Sequence, residues 1–359
     1  MSLKVGIVGL PNVGKSTLFK AVTKKQVDCA NFPFCTIEPN VGVVAVPDER
    51  LNVLTKISNS KKTVPATVDF VDIAGLVKGA SEGEGLGNQF LSHIREVDAI
   101  VMVVRAFHND DIVHVSGHIN PTEDIEIINL ELIYADLAVV DKRLDAAQKS
   151  LKAGQARDLV LVRDALQKLK TALDASQPAR EVELTDDERV AIKDIQLLTS
   201  KPLMFVVNVD EAQLKAGFKL DSLPADVQIP LCVKLEEEIA SLPDEEVQEY
   251  LTALDLKMTG LDQLIKKSFE LLGLITFLTS GEIESRAWTI HRGTKAPQAA
   301  GVIHTDFEKG FIRAEVISYD DYVALGGENG AKEVGKMRVE GKDYVMQDGD
   351  VCHFRVATK

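Results

Sequence analysis

Apolar residues in this chain follow two alternating rhythms. Short, β-rich apolar runs occupy 3–9, 67–72, 99–104, 203–208 and 228–233. Runs that are apolar on both faces are the pattern of buried parallel strands. Helical spacing is predicted over 17–24, 87–96, 235–251 and 260–272. Strands alternating with helices predict an α/β fold with a doubly wound, mostly parallel sheet. Ligands of such a sheet lie at the carboxyl ends of its strands.

One stretch breaks the alternation. Leu130, Ile133, Leu137, Val140, Leu144, Ala147 and Leu151 repeat at 3–4–3–4 spacing. After Lys152-Ala153-Gly154-Gln155 the pattern resumes at Leu159, Val162, Leu166, Leu169 and Leu173. Two heptad helices joined by a glycine-containing turn predict an antiparallel coiled-coil hairpin. Its exposed tip is the part that a rigid lever would present to a large partner. A third helix is predicted from the capping box Thr185-Asp186-Asp187-Glu188. This block lies between the strands at 99–104 and 203–208, so it reads as an insertion at 122–199. The flanking segments, 1–121 and 200–277, would form one domain. From about Ile275 the character changes again. Trp288-Thr289-Ile290, Gly301-Val302-Ile303, Phe311–Ile317 and Val351–Val356 read as strands. Tyr322–Leu325 reads as a short helix and Gln347–Asp350 as a tight turn, giving a small α+β domain over 278–359.

Composition narrows the class. The chain has 359 residues, too many for one ordinary core, with 45% apolar and 27% charged residues. It opens directly on a strand, shows no signal-peptide pattern and holds no apolar run long enough for a bilayer. Cys29, Cys35, Cys232 and Cys352 have no metal-type spacing, which fits a reducing cytoplasm. The formal net charge of −14 argues against coating nucleic acid through bulk charge. Lys56, Lys61 and Lys62, and Arg286, Arg292 and Lys295, form two local basic groups that read as ordinary solvated side chains.

The chemistry starts at the end of the first strand. Gly9-x-x-x-x-Gly14-Lys15-Ser16 joins that strand to a helix, the setting of a phosphate-binding loop. Gly9 and Gly14 permit backbone conformations that turn successive N–H groups around a polyphosphate. Lys15 supplies a positive charge for the outer phosphates, and the Ser16 hydroxyl is an Mg²⁺ ligand. The strand at 67–72 ends in Asp72-Ile73-Ala74-Gly75. Asp72 stands where nucleotide-bound Mg²⁺ needs a carboxylate, and the Gly75 N–H can reach the γ-phosphate. Between these motifs, Thr36 is the loop threonine best placed to complete the metal shell. The run from Gly79 to Gly87 carries four glycines at 79, 83, 85 and 87, as expected of a switch that orders on binding.

Gly9–Thr17, Asp72–Gly75 and the run Gly79-Ala80-Ser81-Glu82-Gly83-Glu84-Gly85-Leu86-Gly87 resemble the Obg-related translation-factor GTPases. With the helical insertion, the departure at 208–211 and the small C-terminal domain, the chain is similar to the YchF family over essentially its whole length. The resemblance implies a P-loop NTPase carrying an inserted coiled-coil domain and a C-terminal TGS domain of β-grasp type. It also implies a cytoplasmic, ribosome-associated protein. The large subunit and RNA are its expected contacts, and no membrane is. A monomer is expected, although the residues do not fix that state.

The strand at 203–208 ends in Asn208-Val209-Asp210-Glu211, where a GTPase normally has Asn-Lys-x-Asp. Val209 replaces the lysine that covers guanine, and Glu211 replaces the aspartate that accepts its two hydrogen bonds. Misplacing a bidentate partner costs roughly 10⁴-fold. Adenine could be read instead by backbone groups near Asn208 and Val209; that Glu211 still reaches guanine stays open. The family resemblance implies ATP, with weaker use of GTP. Leu76 stands where many switch GTPases place a water-orienting glutamine, so slow hydrolysis is expected. His114 is the candidate substitute, with a structural histidine as the competing reading. Asn12 stands where potassium-activated relatives carry asparagine, which implies a K⁺ site. The expected nucleotide contacts are Gly9, Asn12, Val13, Gly14, Lys15, Ser16, Thr17, Phe34, Asn208, Val209, Glu211 and Cys232. Lys15, Gly75 and His114 are the expected catalytic groups, and Ser16, Thr36 and Asp72 the metal ligands.

Overall fold

A computed structural model describes residues 3–27, 40–73, 86–109, 111–114, 117–153, 158–253 and 256–357. The N-terminal part runs β1 (Lys4–Val8), α1 (Lys15–Thr23), β2 (Val41–Ala45), α2 (Glu49–Ile57), β3 (Thr63–Val64), β4 (Thr67–Asp72), α3 (Leu86–Arg95) and β5 (Ala99–Arg105). The helical block follows as α4 (Pro121–Lys152), α5 (Asp158–Asp174) and α6 (Asp186–Ala191). The chain then returns through β6 (Leu203–Asn208), α7 (Glu211–Lys215), β7 (Gln228–Leu231), α8 (Val233–Ile239), α9 (Asp244–Ala253) and α10 (Gly260–Leu271). The first sheet has the order β2-β4-β1-β5-β6-β7. All its pairs are parallel except β2 with β4. Every residue of β5 and β6 is buried, which is why those strands read as unbroken apolar runs. The parallel order brings the carboxyl ends of β1, β4, β5, β6 and β7 to one edge.

The helical block leaves that sheet after β5 and returns at β6. The single helix α4 has 32 residues, about 48 Å at 1.5 Å per residue. Asn120 caps it and Pro121 begins it. Ile133, Val140, Leu144 and Ala147 of α4 pack with Leu166, Leu169 and Leu173 of α5 in a core of their own. The Asp141–Lys170 ion pair at 2.7 Å links the two helices at their exposed edge. The predicted capping box is present: Thr185 and Glu188 bond each other's backbone at the start of α6. On the return, the buried carboxylate of Asp136 on α4 accepts from Leu198 N, Thr199 N and Thr199 Oγ1 at 2.7–2.8 Å.

The C-terminal part comprises β8 (Leu274–Ser280), β9 (Ser285–His291), α11 (Ala296–Ile303), α12 (Thr305–Lys309), β10 (Phe311–Ile317), α13 (Tyr319–Ala324), α14 (Glu328–Glu333), β11 (Arg338–Glu340) and β12 (Val351–Val356). Its sheet has the order β11-β10-β12-β8-β9-β3. All of β8 pairs with β9 in that sheet, so the expected boundary after residue 277 falls inside a strand. The edge strand β3 comes from the N-terminal half and pairs in parallel with β9. Lys61 N donates to Glu282 O and Lys62 O accepts from Ser285 N, while Arg286, opposite Val64, stacks on Trp288 at 4.0 Å.

Two expectations are corrected. The helix predicted over 235–251 is two helices, α8 and α9, because Pro243 disfavours helical backbone at Leu242. Gly301-Val302-Ile303, read as a strand, is the last turn of α11, which Pro297 and the pair Ala299-Ala300 support. A three-residue apolar run has no period of its own. The strand β2 and helix α2 are additions to the sequence reading.

The two sheets are joined by polar contacts around α2. Arg50 on α2 donates to both Asp48 oxygens, to Thr276 Oγ1 and to Asp348 Oδ2, the last in the turn between β11 and β12. Those carboxylates hold its guanidinium above the usual arginine range. Ser58, Ser60, Ser280, Ser285 and Tyr322 form a hydroxyl network across the same junction. Arg50→Met should lower unfolding stability by about 1–3 kcal/mol, since Asp348 and Asp48 lose a charged partner. Thermal unfolding by circular dichroism should show a drop of a few degrees; an unchanged midpoint would show that the junction does not rely on Arg50.

Candidate nucleotide-binding site

The loop between β1 and α1 is shaped by backbone demands that few residues meet. A side chain at Gly9 would lie 2.5 Å from the carbonyl oxygen of Val103 on β5, a backbone atom that cannot yield. Gly14, which precedes α1, has φ +104°, and a side chain there would collide with the amide of Asn208. Asn12 takes φ +62°, a conformation asparagine tolerates, and its Nδ2 donates to Val113 O at 3.1 Å. The start of α1 follows at once, so its unpaired amides and positive end face the loop.

Lys15 is buried and donates from Nζ to Leu10 O at 2.7 Å. Burial lowers its pKa to about 8, with nearby Asp72 opposing the shift. Asp72 is paired in register with Ile7 of β1, beside the loop. Burial pushes its carboxyl up, and the Lys15 ammonium pulls it part of the way back. The Ser16 side chain is exposed at the first turn of α1. A serine hydroxyl and a half-buried carboxylate form an oxygen donor set, which fits a hard divalent cation such as Mg²⁺. The expected contacts Phe34, Thr36, Gly75 and Leu76, and the glycine run up to Gly85, lie outside the described residues.

At the far end of the loop the structure redefines Asn208. Its Nδ2 donates to Val13 O at 2.9 Å, and its Oδ1 accepts from Val233 N at 3.2 Å. The side chain is buried at the end of β6 and ties the phosphate loop to the start of α8. The Asn208 carbonyl accepts from Ala106 N and Phe107 N, and Val209 N donates to Leu231 O. These backbone groups, near which adenine was expected to be read, hold strand ends together. Val209 is 1% exposed and packs in the core, so it does not cover a base as a lysine stem would. Asp210 is committed to a capping box with Gln213 at the head of α7. Glu211 is the exposed first residue of α7. Cys232 is buried at the cap of α8; burial raises its thiol pKa and the charge of Glu211 adds to the rise.

His114, the expected water-activating base, is buried beside a carboxylate. Its side chain is 4% exposed and its Nε2 lies 3.0 Å from Asp124 Oδ2 in the first turn of α4. A carboxylate so placed orients the ring, which a water-activating histidine and a structural one both require, and it anchors the loop after β5. The same loop depends on Arg105, which the sequence reading did not single out. Its buried guanidinium donates to the carbonyls of Phe107, Asn109 and Ile112 and stacks on the Phe107 ring at 4.5 Å. Arg105 thus shapes the turn that brings Val113 O to Asn12. An arginine ending an otherwise apolar strand was the available signal.

Comparison with known proteins places the whole chain. A family profile described as "50S ribosome-binding GTPase" matches residues 4–142. A YchF-GTPase C-terminal profile, described as "Protein of unknown function (DUF933)", matches residues 274–357. The chain is 54% identical over 365 residues to the Ribosome-binding ATPase YchF of Bacillus subtilis, with 99% of each covered. It is 51% identical over 360 residues to the protein of the same name from Escherichia coli O157:H7, again with 99% of each covered. The structure of the Schizosaccharomyces pombe YchF GTPase matches with a TM-score of 0.88 at 41% identity, over 99% of this chain and 98% of that one.

Two predictions follow from this geometry. Asn208→Ala removes two buried hydrogen bonds that position the phosphate loop, each worth about 1–3 kcal/mol when a partner is left unmet. ATP and GTP affinities should fall by similar factors, about tenfold or more, in a titration with each nucleotide; loss confined to ATP would mean that Asn208 reads the base. The pKa of Lys15 sets a pH dependence. A bound polyphosphate favours the ammonium form, so below about pH 8 binding needs no proton. Above it, binding takes up a proton, and affinity should fall by up to about tenfold per pH unit. Calorimetry at pH 9 in buffers of different ionisation enthalpy should reveal proton uptake; none would contradict a depressed Lys15.

Proposed function

The chain belongs to the YchF family, and from that membership we propose that it is an Mg²⁺-dependent ATPase that prefers ATP to GTP and associates with the ribosome. The observation that carries the nucleotide preference is the end of β6. Val209 is buried, Asp210 caps α7 and Glu211 opens it, so position 209 does not supply the lysine stem that a guanine site carries there. Ribosome association is taken from the names of the relatives. The description of the profile matched by residues 4–142 supports the large subunit as the proposed contact, and RNA is the surface proposed there. Among the described residues no helix is long and apolar enough to cross a membrane. A ribosome-bound protein works in the cytoplasm, and a monomer is the proposed unit.

In this reading the phosphates lie along Gly9–Thr17, with Lys15 at the outer pair and the start of α1 behind them. Ser16, Asp72 and Thr36 would hold Mg²⁺, which supplies charge for the developing transition state. The Gly75 N–H meets the γ-phosphate, and water attacks that phosphorus to give ADP and inorganic phosphate. With Leu76 in place of glutamine turnover is slow, and His114, oriented by Asp124, is the proposed substitute for positioning water. The Asn12 carboxamide oxygen is the group through which K⁺ would act, and equal rates in potassium and sodium buffers would remove that part. The nucleotide domain (1–121 and from 200 to the start of β8) carries the chemistry, and the coiled-coil insertion (122–199) and the TGS domain, which begins with β8, carry the contacts.

Displacement of a fluorescent ATP analogue tests the preference. Unlabelled ATP should compete at least about tenfold better than GTP; the reverse order would overturn the assignment. Phosphate release should require Mg²⁺ and vanish in Lys15→Ala, whereas release that survives this change would place the chemistry elsewhere.

A further inference from the structure

Between α3 and α4, on the side of α4 turned away from α5, lies a groove of about 690 Å³. Its floor is apolar and low: Leu91 comes from α3, and Ala138, Val139 and Ala146 come from α4. Its rim carries Arg95, Lys142 and Arg143, and no carboxylate lines it among the described residues. That is an inversion of local charge in a chain whose formal net charge is −14. At one end stands Tyr134, 55% exposed. Arg143 also meets Asp194 at 3.0 Å, but both side chains are more than half exposed, so this pair is weak and exchangeable.

The fold uses this face of α4 only in part: Ala135 joins the core of the first sheet with Leu91, and Val139 packs against the hairpin core. The stripe that binds α5 is Ile133, Val140, Leu144 and Ala147. The groove residues of α4 recur at steps of three and four on a different face. A floor of short side chains lets another backbone approach closely, and a cationic rim over an apolar floor matches one ligand chemistry.

We propose that this groove docks an amphipathic helix of a protein partner, with its apolar stripe on the alanine floor and acidic residues on the cationic rim. The cationic rim favours an acidic partner helix over a basic one. A nucleic acid strand fits less well, because the floor offers apolar surface where a backbone needs cations, and one tyrosine is a short stacking platform. The docking site joins the arm to the helix that follows the glycine run, and it does not depend on which nucleotide the chain binds.

The test is a selection on the full-length protein. The probe is a displayed library of 16-residue peptides with Leu and Ala fixed on one helical face and the other positions random. Enriched peptides should be acidic. A synthetic, fluorescein-labelled winner should bind at least about tenfold more weakly to Arg95→Glu/Arg143→Glu. Ala138→Trp, which fills the floor without changing charge, should weaken it similarly. Both variants change exposed positions and should keep the wild-type circular dichroism and ATP affinity. No acidic enrichment, or a winner indifferent to both variants, would overturn the proposal. So would a 12-nucleotide single-stranded RNA that binds with the same variant dependence and displaces the peptide.

Discussion

A buried carboxamide organises the carboxyl edge of the first sheet. Asn208 gives one hydrogen bond to the carbonyl of Val13 and takes one from the amide of Val233. Three segments distant in sequence, the phosphate loop, the end of β6 and the start of α8, are thereby held in register. Gly14 must be a glycine partly because of this contact, since any side chain there would strike the Asn208 amide. On the opposite flank, Asn12 reaches Val113 O, and Arg105 fixes the loop that presents it. The loop that cradles phosphate is therefore clamped on both sides before any ligand arrives, which lowers the ordering cost of binding.

Inside that clamp the charges are poorly solvated. Lys15 is buried against Leu10 O, and Asp72 is half withdrawn from water. Each shifts toward its neutral form, and each partly restrains the shift of the other. A polyphosphate with a divalent cation supplies both missing partners at once. The site is thus destabilised in a way that its ligand relieves, which is a common source of binding energy at electrostatic sites.

Much of this was legible in the sequence because the phosphate loop and Asp72 are local signals. Gly9, Gly14, Lys15 and Ser16 sit at fixed spacing between a strand and a helix, and Asp72 ends a buried strand. The heptads of α4 and α5 and the Thr185 capping box were legible for the same reason. Asn208 was legible as a site position, but its tie to the phosphate loop was not, because its partners lie 195 and 25 residues away. Arg105 went unnoticed, since its role depends on carbonyls arranged by a turn. The strand β3 joins a sheet otherwise built from residues beyond 273, and nothing in Thr63-Val64 announces that partner. The last turn of α11 was mistaken for a strand because three apolar residues carry no period.

The central claim is that Asn208 acts on the phosphate loop and not on the base. Inorganic tripolyphosphate, which has no base, separates the two by direct calorimetric titration of wild type and Asn208→Ala. If Asn208 only shapes the loop, the substitution weakens tripolyphosphate by the same factor as it weakens ATP. Unchanged tripolyphosphate affinity beside a weakened ATP affinity would contradict that claim.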